Sequence, residues 1–255
     1  MRVDSFLFNS ELDLLELRLQ VLDSAMDRFV IVESPVEFSG RAKPLYFADN
    51  RERFAAWKDK IVHYVVTDTP NSDQNRWPRE YHQRSAIIRA LQSFKSSDLI
   101  FMSDVDEIPD PAVVRRNQHG GYRQVYSMYY VNAVCTQEDW VGTIAMFHFQ
   151  FQQLGMQKAR DDRYHLQNIR PGGWHFAYVM PVEQMHEKLK AFAHGEYDNP
   201  QIHGILEQRV KDLRDLFGAH SQPLKVLDIA TGYFPQYLKD NVAKYAAMTI
   251  QESVK

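Results

Sequence analysis

The stretch "DLIFMSDVDEIPDP", residues 98–111, runs from an apolar strand into four carboxylates: Asp104, Asp106, Glu107 and Asp110. Side chains alternate along an extended backbone, so Asp104 and Asp106 are expected on one side and Val105 in the core. Two carboxylates just past a strand suit Mg²⁺ or Mn²⁺, which take one or two protein carboxylates together with phosphates and water. A metal bridging a diphosphate stabilises the charge that develops as a nucleoside diphosphate departs, which points to sugar transfer from a nucleotide sugar. A bare D-x-D is nevertheless a weak signal, and a solvated loop or an N-cap for a helix after Pro109 explains it as well. A phosphatase or nucleotidyl enzyme with an aspartate nucleophile also uses D-x-D, usually after its first strand. Here the motif follows the fourth strand and Glu107 comes next. An EF-hand is excluded, since the third oxygen ligand and the glycine of that loop are missing.

The elements that position these acids follow from hydrophobic periodicity. Strands are expected at 3–8, 28–33, 60–66 and 98–102. Helices are expected at 10–25, with Ser10 as N-cap, at 50–59, and at 78–94, with Pro78 in the first turn. Strand–helix alternation predicts an α/β fold with a mostly parallel, doubly wound sheet and helices on both faces. The runs "FVIV" and "LIFM" are apolar throughout, as strands buried on both faces are. Ligands of such sheets bind beyond the carboxyl ends of the strands, where the acid cluster and Glu33 lie. After residue 111 the pattern changes to aromatic strands at 122–134, 142–151 and 170–179, then to helices at 181–194 and 202–217. The chain reads as one domain, with a nucleotide-sugar-binding half over about 1–111 and an acceptor half with a helical tail over about 112–255.

Composition narrows the function classes. The 255 residues carry 30 basic and 33 acidic side chains, a net charge of −3, which gives no basic excess for nucleic acid. The single Cys135 excludes an intrachain disulfide and a multi-thiolate zinc site, and favours a reducing, cytoplasmic setting. No apolar run is long enough for a membrane span or a signal peptide, so a soluble, unanchored protein is expected.

Several segments together resemble the β-1,4-mannosyl-glycoprotein 4-β-N-acetylglucosaminyltransferase family. They are "DSFLFNSELDLLELRLQVLD", "FVIVES", "FSGRAKPLYF", W-x-x-K-I, R-E-x-x-Q-R, "LIFMSDVDEIP" and "GGWHF", in order from about residue 3 to about 217. The resemblance implies a GT-A-type fold, a UDP-sugar donor (UDP-GlcNAc in the animal members) and transfer with inversion to a glycan hydroxyl. Asp104 and Asp106 match the family's D-x-D and would hold the metal, with Asp104 also facing the donor. The chain departs from the animal members in lacking their membrane anchor and in carrying Ser85 where Asn is expected. These departures favour a bacterial or viral member acting on a lipid-linked or surface saccharide. A catalytically inactive nucleotide-sugar-binding module is the alternative outside the enzymes.

Within that resemblance Glu33 is a candidate contact to the nucleoside, or a capping acid for the next loop. Arg84 is a candidate for the donor phosphates, which arginine binds in bidentate fashion, or a helix partner of Glu80. His175 in "GGWHF" is a candidate third metal ligand, after two glycines that allow close backbone approach. A hydrogen-bonded core histidine is the competing reading, and Trp174 reads as core. An inverting reaction needs a base. "CTQEDWVGT" offers Asp139 first, with Glu138 and Glu107 also open. The run "VYSMYYVN" suits an acceptor groove or core aromatics.

Overall fold

The computed structural model describes residues 1–72, 75–137, 139–217 and 222–250. Its N-terminal frame follows the expected alternation. Strand β1 (Arg2–Leu7) pairs in parallel with β2 (Arg28–Glu33) and with β4 (Leu99–Asp104), and β2 pairs in parallel with β3 (Ile61–Val65). Successive residues of these strands feed two different cores. Phe29, Ile31 and Phe101 pack with the helix Leu12–Leu22, while Val30, Val32, Ile100 and Met102 pack with Ala86, Ile87 and Phe151. Burial on both faces is why these strands carry no polar alternation.

Beyond β4 the sheet departs from the expectation. The remaining strands are β5 (Glu107–Pro109), β6 (Gly120–Met128), β7 (Ala133–Val134), β8 (Trp140–Phe147), β9 (Asn168–Ile169), β10 (Gly173–Ala177) and β11 (Lys225–Val226). The order is β11-β7-β6-β8-β4-β1-β2-β3, and β8 lies antiparallel to both β4 and β6. The sheet is therefore mixed rather than mostly parallel. The physical reason lies in the connections: β6, β7 and β8 follow one another through short turns, which join antiparallel neighbours, whereas parallel ones need a long crossover.

Element boundaries moved where side chains intervene. The first helix starts at Leu12, not Ser10, because the Glu11 carboxylate turns back to accept the Ser10 N–H (3.0 Å) and meets Lys188 (3.0 Å). The expected helix over 78–94 is two pieces, Trp77–Ser85 and Ile87–Ala90. Strand β8 ends at Phe147, whose N–H donates to Gln150 Oε1 (2.9 Å) and opens a helix at His148–Leu154. That helix leads into Met156–Asp161, and two later helices, Val182–Ala191 and Pro200–Lys211, cover a third core built on Met128 and Tyr129. No helix among the described residues is long and apolar enough to cross a membrane.

Candidate active site

Beyond the carboxyl ends of β1 and β4 lies a cleft of about 740 Å³, a size suited to a nucleotide-sized ligand. Its floor is the acid turn that follows β4. The turn is not extended, as the alternation rule assumes. Arg18, fully buried on the first helix, donates to the carbonyls of Asp104 (2.9 Å), Val105 (3.1 Å) and Glu107 (2.9 Å), gathering them on one guanidinium. The same group forms a two-point pair with Asp4 of β1 (2.6 and 2.8 Å) and donates to Ser103 Oγ (2.6 Å). Val105 is buried as expected, and the backbone curl leaves both aspartates on the cleft wall.

Each acid then meets a cation. Asp104 accepts from Arg84 (2.8 Å) and Arg160 (3.1 Å). Burial opposes its ionisation, but the two guanidiniums outweigh burial and hold the carboxyl below its ordinary value. Asp106 accepts from Lys188 (3.1 Å), and its other oxygen lies 3.7 Å from His175 Nε2. Burial is again outweighed, here by Lys188 and then His175, and Asp106 sits far below the usual carboxylate range. Glu107 is fully buried and accepts four bonds, from both Arg160 terminal nitrogens (2.9 and 2.7 Å), Trp140 Nε1 (2.8 Å) and the Asp104 N–H (2.8 Å). No lone pair of Glu107 is left for a base, so it is a brace for the turn.

His175 reaches the site because β10 runs beside β5, with His175 opposite Glu107. The glycines before it permit this approach. Gly173 has φ +122°, and a Cβ there would lie 2.2 Å from the Ile108 carbonyl oxygen. The ring of His175 lies 4.6 Å from that of Trp140 and 4.9 Å from that of Tyr126, and its Nδ1 is buried without a hydrogen-bond partner. Trp174 is core, donating to the Tyr233 carbonyl (2.8 Å).

The donor set answers whether a metal fits. Among the described residues no cluster of three or more Asp, Glu, His or Cys forms a self-sufficient cage. Asp106 Oδ1 and His175 Nε2, 3.7 Å apart, form a two-donor corner with Asp104 on the same wall. That is the ligand count suited to Mg²⁺ or Mn²⁺ that arrives with substrate phosphates and water.

Other expected site residues lie elsewhere. Glu33 is fully buried, accepting from the Phe47 N–H (3.0 Å) and facing His63 Nε2 (3.0 Å). It stands behind the cleft-lining Lys43, which is 3.8 Å away. Asp139 is exposed and off the cleft wall, its two oxygens held by Arg123 (2.5 Å) and Arg170 (2.7 Å). Glu138 lies outside the described residues. Tyr126 lines the cleft and also packs against the third core, to which Tyr129 belongs and on which Tyr130 packs. Sequence reasoning missed Arg18, Arg160 and Lys188, which approach the acids from 86, 56 and 82 residues away. The single legible hint was Arg18, a charge among leucines on an otherwise apolar helix face.

The sequence was also compared with known proteins. The family model for glycosyltransferase family 17 matches residues 1–213. Among curated proteins, the chain is 28% identical to the rat β-1,4-mannosyl-glycoprotein 4-β-N-acetylglucosaminyltransferase over 115 residues, 42% of this chain and 21% of the relative. The human protein of the same description is 29% identical over 109 residues, 40% of this chain and 20% of its own. The matched region thus spans about a fifth of the length of these relatives. The family match, in contrast, covers most of the chain and includes the acid turn, Arg18, Arg84, Arg160, His175 and Lys188. The chain belongs to glycosyltransferase family 17.

Proposed function

We propose that this protein moves GlcNAc from UDP-GlcNAc to a saccharide hydroxyl, with inversion, in a GT-A-type arrangement assisted by Mn²⁺ or Mg²⁺. The observation that carries this reading is the acid turn: two aspartates where the central strand β4 ends and turns, on the wall of a nucleotide-sized cleft, held by Arg84, Arg160 and Lys188. The curated relatives are N-acetylglucosaminyltransferases by description, which supports the choice of donor sugar.

The residues divide the task. Asp106 and His175 would hold the metal, with Asp104 beside them, and the metal would supply Lewis-acid stabilisation of the departing diphosphate. Arg84 and Arg160 fix Asp104 and offer guanidinium groups to phosphate oxygens. Lys188 balances Asp106 and Glu11 and brings a third positive charge to where the leaving group's negative charge grows. Burial and Arg18 keep the turn rigid, so the charges are oriented before substrate arrives. The base that inversion requires is not supported at Asp139 by its geometry, since both oxygens are occupied and the residue does not line the cleft.

The test is calorimetric. UDP-GlcNAc, UDP-Gal, UDP-Glc and GDP-Man are titrated into the protein with Mn²⁺, then with EDTA. The expected result is metal-dependent binding of UDP-GlcNAc in preference to the others. Binding of none would sink the reading, and release of phosphate from simple esters would favour the phosphatase alternative.

A further inference from the structure

Among the described residues, the cleft wall beyond Trp140 carries more arginine than the carboxylates beside it pair. Arg163 lines the cleft, donating from Nε to the Val141 carbonyl (3.0 Å) and from Nη1 to the Arg160 carbonyl (2.9 Å). Among the described residues no carboxylate forms an ion pair with it. Burial, and then the neighbouring Arg160, pull its ionisation below the ordinary value, against the smaller opposing pull of Tyr164 and Glu107. Its guanidinium lies 4.7 Å from the ring centre of Tyr164 and 5.6 Å from that of Trp140.

Arg123 approaches the same Tyr164 ring, at 5.4 Å, and its Nε is buried without a hydrogen-bond partner. One carboxylate, Asp139, is shared there between Arg123 and Arg170. The other described acids nearby are committed elsewhere: Asp161 accepts from Gln157, Asp162 pairs with Lys158, and Glu107 pairs with Arg160. Two guanidiniums on one ring repel each other unless an anion joins them.

The position of this wall says which substrate meets it. A nucleotide on a sheet of this kind lies along the carboxyl ends of the parallel strands, here the side of β1 and β2. The stack His175, Trp140, Arg163 starts beside Asp106 and includes Trp140 of β8, which lies across β4 from β1 and β2. Resting on the transferase reading above, we propose that Arg163, with Arg123, binds an anionic group on the acceptor saccharide while the Trp140 face packs against its sugar ring. The anion is a sugar carboxylate or a sugar phosphate, both of which fit a guanidinium fork.

The experiment uses the full chain and three probes: a glucuronate-terminated disaccharide, its glucose-terminated neutral counterpart, and mannose 1-phosphate. Each is titrated with and without UDP and Mn²⁺, so the result can be read whatever the donor does. One anionic probe is expected to bind at least about tenfold more tightly than the neutral one. Arg163→Gln should erase that preference and Arg123→Gln should weaken it, while UDP-GlcNAc affinity stays within about twofold. Preference for glucuronate identifies a carboxylate-bearing acceptor, and preference for mannose 1-phosphate a phosphorylated one. Equal binding of all three probes, or none, overturns the proposal. So does a fall in UDP-GlcNAc affinity in Arg163→Gln, which would put this arginine on the donor diphosphate. Failure of donor binding in the unaltered protein is a separate readout and would count against the transferase reading alone.

Discussion

The floor and the far wall of the cleft are built on opposite electrostatic plans. On the floor, Asp104, Asp106 and Glu107 are each matched to a cation, and the backbone between them is gathered on one buried guanidinium. On the wall, Arg163 pairs with no carboxylate among the described residues, and next to it Arg123 and Arg170 share Asp139, with Tyr164 and Asp139 exposed. A buried, fully bonded site is rigid and reads one ligand geometry. A half-exposed site with surplus charge reads charge and tolerates variety in shape. On the function proposed above, the contrast gives the floor to the metal-bound diphosphate of the donor and the wall to the more variable acceptor.

The comparison breaks first at Arg18. Arg18→Met would leave the buried Asp4 carboxyl without its partner and free three carbonyls of the acid turn. The expected loss of stability in urea denaturation is about 3–5 kcal/mol. A loss below about 1 kcal/mol would show that strand pairing alone holds the turn. Asp106→Asn should come next, lowering Mn²⁺-dependent UDP-GlcNAc affinity by at least on the order of 100-fold, since even outer-shell partners of a metal are worth up to that. Unchanged binding would remove Asp106 from the metal corner and with it the distinction between floor and wall.

A pH series sharpens the contrast further. The Asp104 and Asp106 carboxyls lie below their ordinary value when folded, near 3.9 when unfolded. Their contribution to stability is therefore fully present above the unfolded value and is lost as the pH falls below about 4 toward the folded one. Melting temperature followed from pH 6 to pH 2.5 should drop more steeply for the unaltered protein than for Asp106→Asn below about pH 4. Parallel curves would mean that Lys188 and His175 do not hold Asp106 ionised. Arg163→Gln, on the wall, should leave the acid limb of the curve unchanged.

The difference between floor and wall also marks what the sequence could reveal. Strand β2 falls on the residues its apolar run predicts, and the acids fall at the end of β4, because burial on both faces leaves an unbroken apolar signal. The positive partners did not show. Lys188 sits in a helix of alternating charge, and nothing local distinguishes it from Lys190, which pairs on the surface with Glu187. Only the fold brings residue 188 to residue 106. The antiparallel insertion of β8 was hidden for a similar reason: "GTIAMF" is as apolar as a parallel core strand, and pairing direction is set by connections rather than by composition. Asp139 stands out in the sequence for its place between two strands, but there it is exposed and held by Arg123 and Arg170, off the cleft lining.

The smallest expected effect is therefore the most discriminating. Asp139→Asn removes the one carboxylate that Arg123 and Arg170 share and touches nothing on the floor. Donor affinity and turnover should stay within about threefold of the unaltered protein, because no bond to Asp104, Asp106 or Glu107 changes. Affinity for the preferred anionic saccharide should rise by a similar factor, since two guanidiniums lose their internal competitor. Both are read from one set of initial-rate and titration experiments. A loss of turnover by about 100-fold or more at unchanged donor affinity would instead identify Asp139 as the general base. In that outcome the segment around Asp139 would have to swing inward when substrate binds, and the wall would belong to the chemistry rather than to recognition alone.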